Sequence, residues 1–167
     1  NTKKKWITFV GKLNRAKGYD IFGKTIIKIL EKYKKWKAIV IGDERREIMK
    51  FYHKNLNLMG FQTHNTVLKI LKKTSIAVAC SRWNEPLGRT SLEASSNGCA
   101  VIISNRGGLP ETITNGIILK KLNEQELFNE IEFLIKNKTI RKKYQKLSNK
   151  NFIYTNIKSS KEVVKYR

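Results

Sequence analysis

Acidic residues are scarce: 13 Asp and Glu stand against 35 Lys and Arg in 167 residues, a formal net charge of +22. Aspartate is limited to Asp20 and Asp43, and histidine to His53 and His64. Their spacing offers neither a metal-ligand set nor an Asp-x-Asp pair, so the expected chemistry needs no metal and no other cofactor. Cysteine is limited to Cys80 and Cys99, each in an apolar, strand-like setting. That excludes a disulfide framework and predicts buried free thiols, which fits a cytoplasmic location. No apolar run is long enough to cross a bilayer, and the start, NTKKKW, has no signal-peptide core. Internal repeats and low-complexity linkers are also absent; Asn1 to Lys5 reads as the remnant of an interdomain linker.

The cations are present in force, but just eight of the 35 are Arg. Such a charge fits an anionic membrane surface, nucleic acid or an anionic acceptor. It equally fits the Lys-, Asn- and Ile-rich composition of an AT-rich genome, and the sequence does not separate the two. Nucleic acid is not the expected partner, because no recognised nucleic-acid motif is present.

Short apolar runs alternate with helical periodicity. Trp6–Val10, Lys37–Gly42, Leu56–Phe61, Ser75–Cys80, Ala100–Ser104 and Gly116–Leu119 read as strands. Helices are predicted from about Asp20, as cap, to Tyr33, from Asp43–Arg46 to Lys54, from His64 to Lys73, from Gly88 or Arg89 to Asn97, and from Asn123 onward. Leu109–Thr114 reads as a helical turn and Asn156–Arg167 as a further helix. The order predicts right-handed βαβ units and an α/β, doubly wound, Rossmann-like parallel sheet flanked by helices, one domain over 1–167. Ligands of such sheets bind beyond the carboxyl ends of the strands.

The densest chemistry lies in Ser81–Glu111, SRWNEPLGRTSLEASSNGCAVIISNRGGLPE. A strand ends, Glu85-Pro86 breaks regularity, and a helix begins near Gly88. Its free N–H groups, with Arg89, Thr90 and Ser91, form an anion site. Glu85 and Glu93 flank that site. Carboxylates beside a phosphate are unfavourable unless they accept hydrogen bonds from hydroxyls, which a sugar and a ribose supply. Together these parts describe a sugar-nucleotide pocket.

The Glu85-x7-Glu93 spacing, EPLGRTSLEA, NGCAVI, GGLPE, FVGKLNRAKG and IVIGD, in that family's order from Phe9 to about Leu119, resemble the C-terminal, donor-binding domain of GT-B, family 4-like retaining glycosyltransferases. The resemblance implies one half of a GT-B fold, with the N-terminal acceptor domain absent from this chain. It implies transfer of a hexosyl group from a nucleoside diphosphate sugar to a lipid-linked or polysaccharide acceptor, without a metal. By the same resemblance, Lys12 and Lys17 meet the pyrophosphate, and Leu87 and Gly88 offer backbone N–H groups. Thr90 binds phosphate, Glu93 the ribose, and Glu85 the transferred sugar as the catalytic carboxylate. Gly60, Phe61 and Gln62 fall where the family holds the base. Lys12 stands where Arg is commoner, keeping charge but losing bidentate contact. Arg89 replaces the commoner apolar residue.

Each residue also has a plainer reading: surface lysines at 12 and 17, core packing for Phe61, solvated carboxylates at 85 and 93. Trp83 fits a stacking platform or packing, Arg106 the acceptor side, and Glu111 a cap on the Gly107-Gly108 turn. At the level of the whole chain the rivals are another GT-B enzyme, phosphorylase-like or a sugar-nucleotide epimerase, and a basic non-catalytic module for anionic membrane or nucleic acid. The phosphorylase lacks its cofactor-lysine motif here, and the epimerase its acid and base. The expected partners are a nucleoside diphosphate sugar and, by peripheral attachment, the inner membrane face.

Overall fold

In a computed structural model, residues 2–152 are described. Six parallel strands form one sheet in the order β3-β2-β1-β4-β5-β6. They are β1 (Lys4–Val10), β2 (Lys37–Ile41), β3 (Leu56–Leu58), β4 (Thr74–Ala79), β5 (Ala100–Ser104) and β6 (Gly116–Leu119). The helices are α1 (Tyr19–Lys32), α2 (His64–Lys73), α3 (Arg89–Ser96), α4 (Glu124–Lys136) and α5 (Lys138–Lys150), with a 3-10 turn at Leu109–Thr112. The α/β, Rossmann-like expectation holds. The helix expected over Asn156–Arg167 lies outside the described residues.

The chain runs outward through β1, β2 and β3, then returns past β1 to place β4 on its other side. Helix α1 covers one face and α2 and α3 the other, as right-handed crossovers require. On the first face, Phe22, Ile26, Ile29 and Leu30 of α1 pack with Ile7 and Phe9 of β1 and with Leu127, Ile131 and Leu134 of α4. On the second, Val67, Ile70 and Leu71 of α2 meet Ile39, Ile41, Val101 and Ile103. Strands covered on both faces need continuous apolar runs, which is why KAIVI and AVIIS carry no alternation. Each fully buried aliphatic contributes about 1.5–3 kcal/mol.

One expected helix is absent. Residues 43–54 cross from β2 to β3 without helix or strand. Met49 and Phe51 pack on the α1 face, and the side chain of His53 is nearly buried, 3.1 Å from Glu31. That inward period of two is incompatible with a helix. Phe51 fills the space over Gly23 of α1, where even a Cβ would lie 2.1 Å from its ring. The cap expected at Asp20 is also corrected: Gly18 occupies the N-cap position of α1 and no side chain caps it.

Two glutamates tie this face together. Glu44 accepts from the backbone N–H of Arg46, its guanidinium and Asn14, which hold its carboxyl down to about 2. Glu132 is held down to about 2 by Lys32 and Tyr33. Carboxyls depressed from 4.5 add stability that is fully present above that value and lost as pH falls towards the folded value. The melting temperature is therefore expected to fall between pH 4.5 and about 2. E44Q and E132Q, melted across the same pH series, should flatten that decline; a slope unchanged in both variants would show that other groups set it.

Candidate functional site

The strand order reverses between β1 and β4, so their carboxyl ends diverge and leave a crevice. A cavity of about 340 Å³ lies there, lined by Phe9, Val10 and Gly11 from β1 and its loop, Ala79 and Ser81 from β4, and the Glu85–Ser91 stretch. Lys17 and Leu109 complete the wall.

Three elements bring charge to this cavity. The first is α3, which begins after Gly88 with no side-chain cap. Its first-turn N–H groups are left without the partner that an Asp or Ser cap would supply, and the positive end of the helix lies on the wall. The second is Lys17, from the loop after β1. The third is Glu85, from the loop after β4. Lys17 Nζ donates to Glu85 Oε1, with side chains 32% and 16% exposed. Charges this sheltered are screened far less than surface pairs. Thr90 Oγ1 donates to the Val10 carbonyl at 3.4 Å, tying α3 to the end of β1.

The loops carrying Lys17 and Glu85 are clamped together. Arg82 donates to both carboxylate oxygens of Asp20, at 2.6 and 2.8 Å, and to the Arg15 carbonyl at 2.7 Å. Burial opposes ionisation of Asp20, but the hydrogen bonds and charge of Arg82 prevail and hold its carboxyl below the usual range. The backbone N–H groups of Arg82 and Trp83 and the Ser81 hydroxyl all donate to the Ala16 carbonyl. Asp20 is thus a cross-loop anchor.

The remaining residues singled out in the sequence sit around this centre. Leu87, Gly88 and Thr90 line the cavity; Lys12 is exposed and does not. Glu93 lies one turn along α3, outside the lining, where its Oε1 is 2.9 Å from His64 Nε2 and 3.8 Å from Arg89 Nη2. His64 therefore belongs to the α2–α3 seam beside the site. The Gly60 carbonyl accepts from the Gly42 N–H at 2.9 Å. Gln62 turns back to donate to the Met59 carbonyl at 2.7 Å. Phe61 is exposed, as are Trp83 and Leu87, so none of the three is core. Among the described residues no group of three or more His, Cys, Asp or Glu is arranged to hold a metal. Cys80 and Cys99 are buried free thiols pushed up to about 12, chiefly by burial.

The chain is similar in sequence and in fold to known proteins. The chain is 32% identical over 126 residues to spore coat protein SA of Bacillus subtilis, covering 68% of this chain and 33% of that protein. It spans about a third of the length of the curated relatives that it matches. The crystallised C-terminal domain of a glycosyl transferase group 1 family protein (LpcC) from Francisella tularensis superposes with a TM-score of 0.80 at 25% identity, covering 94% of this chain and 88% of that one. Anabaena HepE, solved in complex with UDP-glucose, superposes with a TM-score of 0.76 at 19% identity, covering 98% of this chain and 49% of that one, a likeness of fold. A family model matches residues 1–152, which takes in all of the described residues. The chain belongs to the glycosyl transferases group 1.

Proposed function

We propose that this chain is the donor-binding half of a retaining GT-B glycosyltransferase that moves a hexosyl group from a nucleoside diphosphate sugar to a lipid-linked or polysaccharide acceptor. The observation that carries the reading is the convergence of Lys17, Glu85 and the start of α3 on one cavity at the switch point. A diphosphate fits the helix end and Lys17; fixed positive charge there would stabilise the departing nucleoside diphosphate, where negative charge develops. The Leu87 and Gly88 N–H groups and Thr90 would complete the phosphate cradle. Glu85, freed from Lys17, would accept from hydroxyls of the transferred sugar. Glu93, held by His64, would meet the ribose, and Gly60, Phe61 and Gln62 the base. Lys12 would reach the phosphates from the rim. The binding of UDP-glucose by a protein of the same fold supports the ligand class.

A second, acceptor-side domain would close the cleft. Phe61, Trp83 and Leu87, exposed on loops at the carboxyl ends of the strands, would meet it. The chain alone is then expected to bind nucleotide without transferring sugar.

Calorimetry with a nucleoside, its monophosphate and its diphosphate, across uridine, guanosine and adenosine series, tests the assignment. K17A should weaken diphosphate binding about ten- to a hundredfold, the range of a charge-assisted hydrogen bond, and leave the nucleoside nearly unchanged. Equal losses for all three ligands would place Lys17 off the phosphates, and failure of every diphosphate to bind would remove the donor-site reading.

A further inference from the structure

The segment that replaces the expected helix has a second face. From Ile48 to Lys54 exposure alternates: Met49, Phe51 and His53 are turned in, and Ile48, Lys50, Tyr52 and Lys54 are turned out. The apolar pair is among the most exposed large side chains of the fold, Ile48 at 74% and Tyr52 at 76%. Alternate residues of an extended strip lie about 7 Å apart, so the outward row spans on the order of 20 Å.

The charges around this row are sorted. Glu44 bonds Asn14 and Arg46, Glu47 pairs with Arg15 at 3.2 Å, and Glu31 pairs with Lys34 and His53. These three acids are engaged within the protein, while exposed Asp43 stands five positions before Ile48. Lys50 and Lys54 have no acidic partner among the described residues. The outcome is a one-sided ladder of apolar, cationic, apolar and cationic groups beside the loop that carries Lys17.

We propose that this strip is a docking surface for an anionic lipid bilayer. Ile48 and Tyr52 would enter the headgroup boundary, where a Tyr ring suits the interface. Lys50 and Lys54 would lie along lipid phosphates with their stems on the apolar level. Net charge alone attracts the whole molecule without orienting it; the strip would set one face down, with the cavity near the membrane. The inference goes beyond the donor-site reading, and its test uses no nucleotide, so either can fail without the other.

The test is sedimentation of the full chain with phosphatidylcholine vesicles, with and without phosphatidylglycerol, over a salt series. Binding is expected with the anionic vesicles and should weaken as salt rises. K50Q/K54Q should bind about thirtyfold more weakly, at roughly fivefold per lysine near the surface. I48S/Y52S should bind about tenfold more weakly at unchanged charge. K142Q/K143Q removes the same charge from exposed positions on α5 and should change binding far less. All three variants alter exposed side chains, and matching melting temperatures would confirm their fold. Several results would overturn the proposal: no binding to anionic vesicles, equal binding to neutral ones, equal losses in the strip and α5 variants, or strip variants that bind like the wild type. Displacement of the vesicles by a short RNA with the strip variants indifferent to lipid would overturn it in favour of nucleic acid.

Discussion

E85Q is expected to separate the two halves of the donor. The variant should hold free nucleoside diphosphate as well as the native chain, or more tightly, and hold the nucleotide-sugar about ten- to a hundredfold less well relative to it. The sign for the free nucleotide follows from the ion pair with Lys17. In the empty site that lysine is neutralised by Glu85, and a diphosphate must compete for it. Gln keeps the size and one acceptor but removes the competing charge, so Lys17 becomes available. The loss for the sugar has the size of a hydrogen bond to a charged group, about 1.5–3 kcal/mol. In the complete two-domain enzyme turnover should drop about a hundredfold, because displacing the sugar at its reacting carbon disturbs the attack geometry. Calorimetry with both ligands and steady-state rates decide it. A variant that loses free diphosphate as badly as nucleotide-sugar would place Glu85 on the nucleotide and void its assignment to the sugar.

That prediction uses a contact the sequence does not announce. Lys17 and Glu85 were each legible: one through the resemblance of FVGKLNRAKG, the other by its place before Pro86 and a helix start. Their pairing was not, since 68 positions separate them and only the β1–β4 adjacency brings them together. The same holds for Arg82 and Asp20, and for His64 and Glu93. In the last two pairs one partner, Arg82 or His64, looks locally like an ordinary surface residue. Strands were legible because doubly covered strands must be continuously apolar, and β5 and β6 fall at their expected bounds. Helix α2 is likewise bounded as expected, since its apolar residues recur at helical spacing and Thr63 caps it by accepting from the Thr66 N–H. Residues 43–54 failed for the opposite reason. DERREIMKFYHK is rich in helix formers, and propensity favours a helix until tertiary contacts are counted. The deciding contacts are Phe51 over Gly23 and His53 on Glu31, both made to a helix more than twenty positions earlier.

G18A should be strongly destabilising. Gly18 sits at the N-cap of α1 with φ +73, a left-handed conformation that costs an alanine about 1–2 kcal/mol. Its Cβ would also lie 1.9 Å from the carbonyl oxygen of Cys80, so something must move. Little can. Cys80 is fully buried at the end of β4, and the next residues are fastened to the Gly18 loop by three hydrogen bonds to the Ala16 carbonyl and by the Arg82–Asp20 pair. Overpacking a fixed contact adds about 1–3 kcal/mol, for a total of about 2–5 kcal/mol. At roughly 2–4 °C per kcal/mol for a domain of this size, melting should fall on the order of 10 °C. G60A is the matched control: φ is +65, but nothing lies within 4 Å of its Cβ, so it pays the backbone cost alone. The difference between the two melting curves therefore measures how rigidly the loop bearing Lys17 is held against the strand that leads to Glu85. Equal melting temperatures would mean that the loop yields, and a yielding loop could not hold Lys17 and Glu85 in register for a donor.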